Sequence, residues 1–245
     1  MDLAVNFRHS TQTMSTTQET VRRWFDDTYA TRGLDYLRPA EAYPIFIHLL
    51  GAKRGETMLD IACGAGLLLK AGRAAGLNAF GVDLSTVAAN MVPSVAPGAR
   101  ALVGNAELLP YRDAQFDNIT CIGSLERMLD REAVLREMQR VAKPGARFCV
   151  MVRNSRTLKW KVHAELLGRR NVSGHQDAAG LEQWTELFHD LGFAVQGIHP
   201  DQWLRQRMRR AVGISWAAQE GVIAAPLLVP LRYANEFIYV LRMRE

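Results

Sequence analysis

The run Leu59-Asp60-Ile61-Ala62-Cys63-Gly64-Ala65-Gly66 leaves few folds open to this chain. An apolar strand, predicted over Thr57 to Ala62, carries one acid and gives way to a Gly-x-Gly turn. Glycine takes backbone conformations that a Cβ opposes, and it lets a ligand come close. Leu67 to Ala75 then reads as a helix, with Gly76 well placed to close it. Strand, glycine turn and helix form the first half of a βα unit, and the helix N-terminus points its N–H groups at whatever binds there. Asp60 puts a fixed negative charge at the same turn. That suits a ligand bearing an ammonium group better than a bare pyrophosphate.

The rest of the chain repeats the alternation. Further strands are predicted at Ala79–Asp83, Ala101–Val103, Phe116–Ile122, Arg147–Val152, Phe193–Ile198 and Glu236–Leu241. Between them, Ser85 caps a helix running through Met91, with Pro93 and Pro97 breaking the chain. Arg131–Ala142 carries the apolar stripe Val134, Leu135, Met138 and Val141 and is ended by Lys143-Pro144-Gly145. Leu158–Leu167 and Leu181–Leu191 also read as helical. Ahead of the first strand, Thr20–Leu37 has helical periodicity up to Pro39, and Ala42–Leu50 adds a second short helix ending at Gly51. Strands alternating with helices over short connections give a parallel α/β sheet.

A chain of 245 residues with 48% hydrophobic content fits one such domain with elaborations. We divide it into a helical cap, residues 1–50, and a domain, 51–245, with insertions at 154–180 and 201–230. The second insertion joins a basic run, Trp203-Leu204-Arg205-Gln206-Arg207-Met208-Arg209-Arg210, to an apolar one, Val222 to Pro230. It is too short to span a bilayer and reads as a lid over an apolar small molecule; a dimer contact or a membrane-surface contact are its other readings. The polar first twenty residues show no signal-peptide pattern, so a cytoplasmic protein is expected. Cys63, Cys121 and Cys149 are spaced too widely for a metal motif and read as buried. The net charge of +5 owes much to the arginines at 205–210, Arg169 and Arg170, read as a solvated face. Without a basic stripe interleaved with aromatics, they argue against nucleic acid.

Chemistry concentrates at strand ends. A dinucleotide fingerprint wants a third glycine where Leu69 stands, and asks for no acid at Asp60. Asp83, ending the second strand, can take both hydroxyls of a ribose. Gly104-Asn105-Ala106-Glu107-Leu108-Leu109-Pro110 offers a side-chain amide and a backbone N–H for an adenine edge. Phe116-Asp117 and Arg140-Val141-Ala142-Lys143-Pro144-Gly145 follow in order.

This order of motifs resembles the class I S-adenosylmethionine-dependent methyltransferases, most closely the small-molecule group that includes quinone-ring and natural-product enzymes. The likeness is strong from Thr57 to Val152. It implies a Rossmann-like seven-stranded mixed sheet, six strands parallel and the last antiparallel, with helices on both faces. It implies S-adenosylmethionine as cofactor. Asp60, Ala62 and the Gly64–Gly66 turn would hold its methionine end, Asp83 the ribose, and Leu84 would pack on adenine. Asn105, where an aspartate is more common, would meet the exocyclic amine through its carbonyl oxygen. Ala106 would offer its N–H, Glu107 and Ile122 would line the site, and the segment holding Tyr29, Tyr36 and Arg38 would fold over it, with Tyr36 closing the site.

Methyl transfer from a sulfonium is an in-line displacement, so the protein's main task is to position donor and acceptor. A base is needed only where the acceptor loses a proton. Glu126-Arg127 stands where the resembling enzymes often carry Glu-His. These two, with His163 and His175, are the candidates for catalysis; Glu126-Arg127 also reads as a salt-bridged surface pair. No metal is expected. The expected partner is a small, apolar or aromatic methyl acceptor, and the expected state a monomer or homodimer. The alternatives are an RNA or protein methyltransferase, an idle cofactor-binding subunit, and a nicotinamide oxidoreductase.

Overall fold

A computed structural model describes residues 16–157, 177–201 and 231–244. Its seven strands are β1 (Thr57–Ile61), β2 (Asn78–Asp83), β3 (Arg100–Val103), β4 (Phe116–Ile122), β5 (Ala142–Arg153), β6 (Phe193–Pro200) and β7 (Glu236–Met243). They form one sheet in the order β3-β2-β1-β4-β5-β7-β6. Strand β7 lies between β5 and β6 and runs antiparallel to both, while the neighbouring pairs from β3 to β5 are parallel. This is the mixed sheet expected from the sequence. The order reverses between β1 and β4, and there the connections leave in opposite directions and open a crevice at the strands' C-terminal ends. The registers Asp60↔Gly81, Asp60↔Thr120 and Asp83↔Val103 bring the acids that close β1 and β2 to that crevice.

All five residues of β1 are buried, as a parallel strand covered on both faces requires. The described helices are α1 (Thr16–Arg32), α2 (Pro44–Leu50), α3 (Leu67–Ala74), α4 (Thr86–Val95), α5 (Arg131–Val141) and α6 (Leu181–Asp190). On one face, Val134, Leu135 and Met138 of α5 and Trp184 and Phe188 of α6 pack on Leu59, Ile61, Ile119 and Val150. On the other, Phe46 of α2, Leu68 and Leu69 of α3 and Val92 of α4 meet Met58, Cys149 and Met151. Alternate residues of one strand thus serve opposite layers. All three cysteines are free and buried, as read from their spacing.

Among the sequence boundaries that shift, three turn on a glycine or a proline. Helix α1 stops at Arg32, not Leu37, because Gly33 turns to φ +50° and a 3₁₀ turn, Gly33–Tyr36, follows. Pro93 does not break α4, which continues to Val95. Its missing N–H removes one bond of the ladder, the one that would reach the Ala89 carbonyl, and the chain stays helical for two residues beyond it. Pro144 and Gly145 lie within β5 rather than before it: Ala142 already pairs with Phe116, and the register jumps to Asn118↔Arg147 across a bulge. The Leu158–Leu167 helix and the segment at 202–230 fall outside the described residues. Among the described residues no helix is long and apolar enough to cross a membrane.

Candidate active site

A cavity of about 290 Å³ opens at the C-terminal ends of β1, β2 and β4, beneath α1 and the chain that follows it. Tyr36, Arg38, Asp60, Ala62, Gly64, Asp83, Leu84, Asn105, Ala106, Glu107 and Ile122, all singled out in the sequence, line it. Gly66 does not. It is the residue before α3, at φ +88°, and a Cβ there would meet Val92, so it shapes the turn from behind.

The turn after β1 is built under constraint. Ala62 adopts φ 55°, unusual for a residue with a Cβ, and Gly64 follows at φ +53°. A Cβ on Gly64 would fall under 3.0 Å from the hydroxyl oxygen of Tyr29. The missing side chain therefore lets the Tyr29 hydroxyl seat against the turn, and Gly64 and Tyr29 together form a cradle in the cavity wall. The Gly64 N–H donates to Asp83 Oδ2 (2.7 Å) and the Ser85 N–H to Oδ1 (2.8 Å). Each oxygen keeps acceptor capacity for a ligand hydroxyl. Burial pushes Asp83 up to about 6, against the pull of those two N–H groups. Asp60 is pushed up to about 7 by burial, with the Asp83 charge adding to it and the Thr120 hydrogen bond opposing. That bond, from Thr120 Oγ1 to Asp60 Oδ1 (2.7 Å), aims the carboxylate.

Asn105 and Glu107 are fastened to each other. The Glu107 N–H donates to Asn105 Oδ1 (3.0 Å), so the Asn105 carbonyl shapes the turn and has one lone pair left for a ligand. Glu107 also takes a hydrogen bond from Gln18 of α1 (2.8 Å) and the N–H of Asp130 (3.1 Å). Arg140 of α5 holds the same loop from below, donating to the carbonyls of Leu109 and Tyr111 and pairing with Asp113. Helix α1 is tied down again where Asp26 accepts from Ser85 Oγ (2.7 Å) and the Val87 N–H (3.2 Å). Arg38 bridges Asp201 (2.9 Å) and Glu236 in the cavity wall.

Glu126 and Arg127 are not a surface pair. Glu126 is fully buried behind the cavity wall, and neither carboxylate oxygen has a hydrogen-bond partner among the described residues. Burial raises its pKa although Arg153 and Arg127 pull it down. Arg127 lines the cavity, its guanidinium 5.9 Å and 5.6 Å from the ring centroids of Trp24 and Phe25. His163 and His175 lie outside the described residues.

The sequence placed Tyr29 with Tyr36 and Arg38 in the segment that folds over the site but gave it no role there, and it passed over Tyr43, Gln18, Thr120, Arg153 and Glu236. For Tyr29 a signal existed: Val21, Phe25 and Tyr29 recur every four residues on one helix face. Thr120 could be found only through its register with Asp60.

These residues fit an adenosyl sulfonium amino acid. The Gly64 cradle would face the amino-acid end of such a ligand, Asp60 would complement its ammonium, Asp83 a ribose diol, and the Asn105–Glu107 turn a base edge. Fold and site together define a Rossmann-like enzyme that takes a nucleoside cofactor at the switch point of its sheet. The family profile described as methyltransferase domain matches residues 59–150. A demethylmenaquinone methyltransferase of Mycolicibacterium paratuberculosis is 36% identical over 178 residues, 67% of this chain and 74% of that one. A ubiquinone biosynthesis O-methyltransferase of Paraburkholderia phytofirmans is 31% identical over 173 residues, with 67% and 74% covered. The solved geranyl diphosphate C-methyltransferase of Streptomyces coelicolor shares the fold at a TM-score of 0.64 and 18% identity, over 93% of this chain and 97% of that one. The chain belongs to the class I S-adenosylmethionine-dependent methyltransferases, and S-adenosylmethionine is its cofactor. The nicotinamide alternative falls with this assignment.

Proposed function

We propose that the protein methylates a small, apolar or aromatic metabolite, of the kind met in quinone or natural-product biosynthesis. The observation that carries this reading is the cavity itself. Val21, Phe25, Leu37, Ile122, Met128, Leu129 and Met151 line the same space as Asp60 and Asp83. An apolar wall beside a cofactor cradle suits an acceptor with a hydrophobic body. The names of the relatives support it, since they act in ubiquinone and menaquinone biosynthesis, and a norajmaline N-methyltransferase of Rauvolfia serpentina is 34% identical over 108 residues.

When bound, the cofactor supplies an electrophilic methyl group on a sulfonium. In this reading Asp60 takes the cofactor's ammonium, and the Gly64 turn admits its methionine chain. Asp83 accepts from the ribose hydroxyls, Leu84 packs on the base, and Asn105 and the Ala106 N–H read its edge. Tyr36 and Arg38 close the methionine end. The apolar wall orients the acceptor and keeps water from the methyl group.

The test incubates the protein with S-adenosylmethionine and a panel of catechols, hydroquinones and indole amines, with mass spectrometry reading a methyl gain. Methylation within this panel is expected. Methylation of bulk RNA or protein substrates, with none in the panel, would refute the reading.

A further inference from the structure

Tyr29 has a precise position at the site that the sequence did not specify. It is buried on the inner face of α1 and lines the cavity. Its hydroxyl stands directly over Gly64, so closely that only glycine leaves room beneath it. It is near enough to Asp83 to feel that charge, and its ring lies edge to face with Tyr36 at 5.4 Å. The hydroxyl thus lies at the Gly64 turn, within reach of the Asp83 charge, beside the residues proposed for the amino-acid and ribose ends of the cofactor.

The covalent order of the cofactor decides what passes there. Its sulfur joins the ribose to the methionine chain, so a molecule held at both ends carries its positive charge between them. We infer that Tyr29 is a specificity residue that reads the sulfonium charge, presenting its hydroxyl oxygen to the cation and favouring the methyl donor over the uncharged demethylated product. Burial drives the hydroxyl far above its ordinary pKa, so it stays protonated and acts as a dipole that can turn its oxygen toward a cation. The inference rests on the cofactor placement proposed above.

The test is calorimetric titration of the wild-type protein and Tyr29→Phe with S-adenosylmethionine, S-adenosylhomocysteine and sinefungin, which carries an ammonium in place of the sulfonium methyl. The variant keeps the ring and its packing and removes only the oxygen. Affinity for the two charged ligands is expected to fall about 3- to 10-fold, the scale of one lost polar contact, with the thioether changing less than about 2-fold. Equal losses for all three would overturn the inference, because a role in packing alone cannot sense the charge. If the variant is less stable, the ratio of affinities within one sample remains the readout, since a smaller folded fraction lowers all three alike. Failure of every ligand to bind the wild-type protein would instead refute the cofactor placement.

Discussion

Replacing Gly64 with alanine tests the cradle most directly, because two separable penalties meet there. The backbone at φ +53° is left-handed, and an L-residue pays about 1–2 kcal/mol to adopt it. The new Cβ would also lie under 3.0 Å from the Tyr29 hydroxyl oxygen, with Cζ at 3.3 Å and Leu37 Cδ2 at 3.7 Å. Forcing a methyl group into such a space costs about 1–3 kcal/mol. The sum is roughly 2–5 kcal/mol, a melting temperature lower by about 4–20 °C in a chain of this size. Tyr29→Phe removes the atom under 3.0 Å and leaves Cζ at 3.3 Å, a tight contact that a shift of the ring by a few tenths of an ångström relieves. Gly64→Ala in that background should therefore cost little beyond the backbone part. A double-mutant cycle by thermal denaturation should show a favourable coupling of about 1–3 kcal/mol. Additivity within about 0.5 kcal/mol would refute the argument, for it would mean that the tyrosine does not occupy the space above the glycine.

Asp60 and Asp83, raised by burial from 3.8 to about 7 and about 6, favour a protonated native state. Their contribution to the stability of the free protein is present below about pH 4 and is lost as pH rises through 6 and 7; Asp60→Asn should flatten that loss in melting curves. Cofactor affinity should move the opposite way, because an ammonium prefers ionised Asp60. That group goes from about one-tenth to nine-tenths ionised between pH 6 and 8, so calorimetry should read a gain of about 10-fold. Glu126→Gln should be neutral or stabilising, increasingly so toward pH 8, since burial opposes a charge that no hydrogen bond among the described residues satisfies; a loss of several kcal/mol at pH 8 would show that the carboxylate has a partner. Ala62→Gly should raise stability by about 0.5–1 kcal/mol by relieving the left-handed backbone at φ 55°, and an unchanged or lower melting temperature would count against strain at that turn.

The sequence by itself determined the βα alternation, the glycine turn and the acids at the ends of β1 and β2. Those are local properties: periodicity fixes an element's type, a positive φ selects glycine, and an acid closing a buried strand needs something to bind. Even the slot of β7 followed, once the order of motifs had been matched to a family. What lay beyond the sequence was everything that depends on distance in space. Glu126, read as one half of a surface pair, is buried with no hydrogen-bond partner among the described residues, and Arg127 lies over the rings of Trp24 and Phe25 on α1. Asn105 spends one lone pair on its own turn. Thr120, 60 residues from Asp60, aims that carboxylate because β4 pairs with β1 in one particular register. Tyr29 stands over Gly64 because Asp26 and Gln18 fasten α1 across the crevice. Spacing along a chain encodes which face a residue occupies. Only the packing of one element on another decides which face meets which, and so which atoms touch.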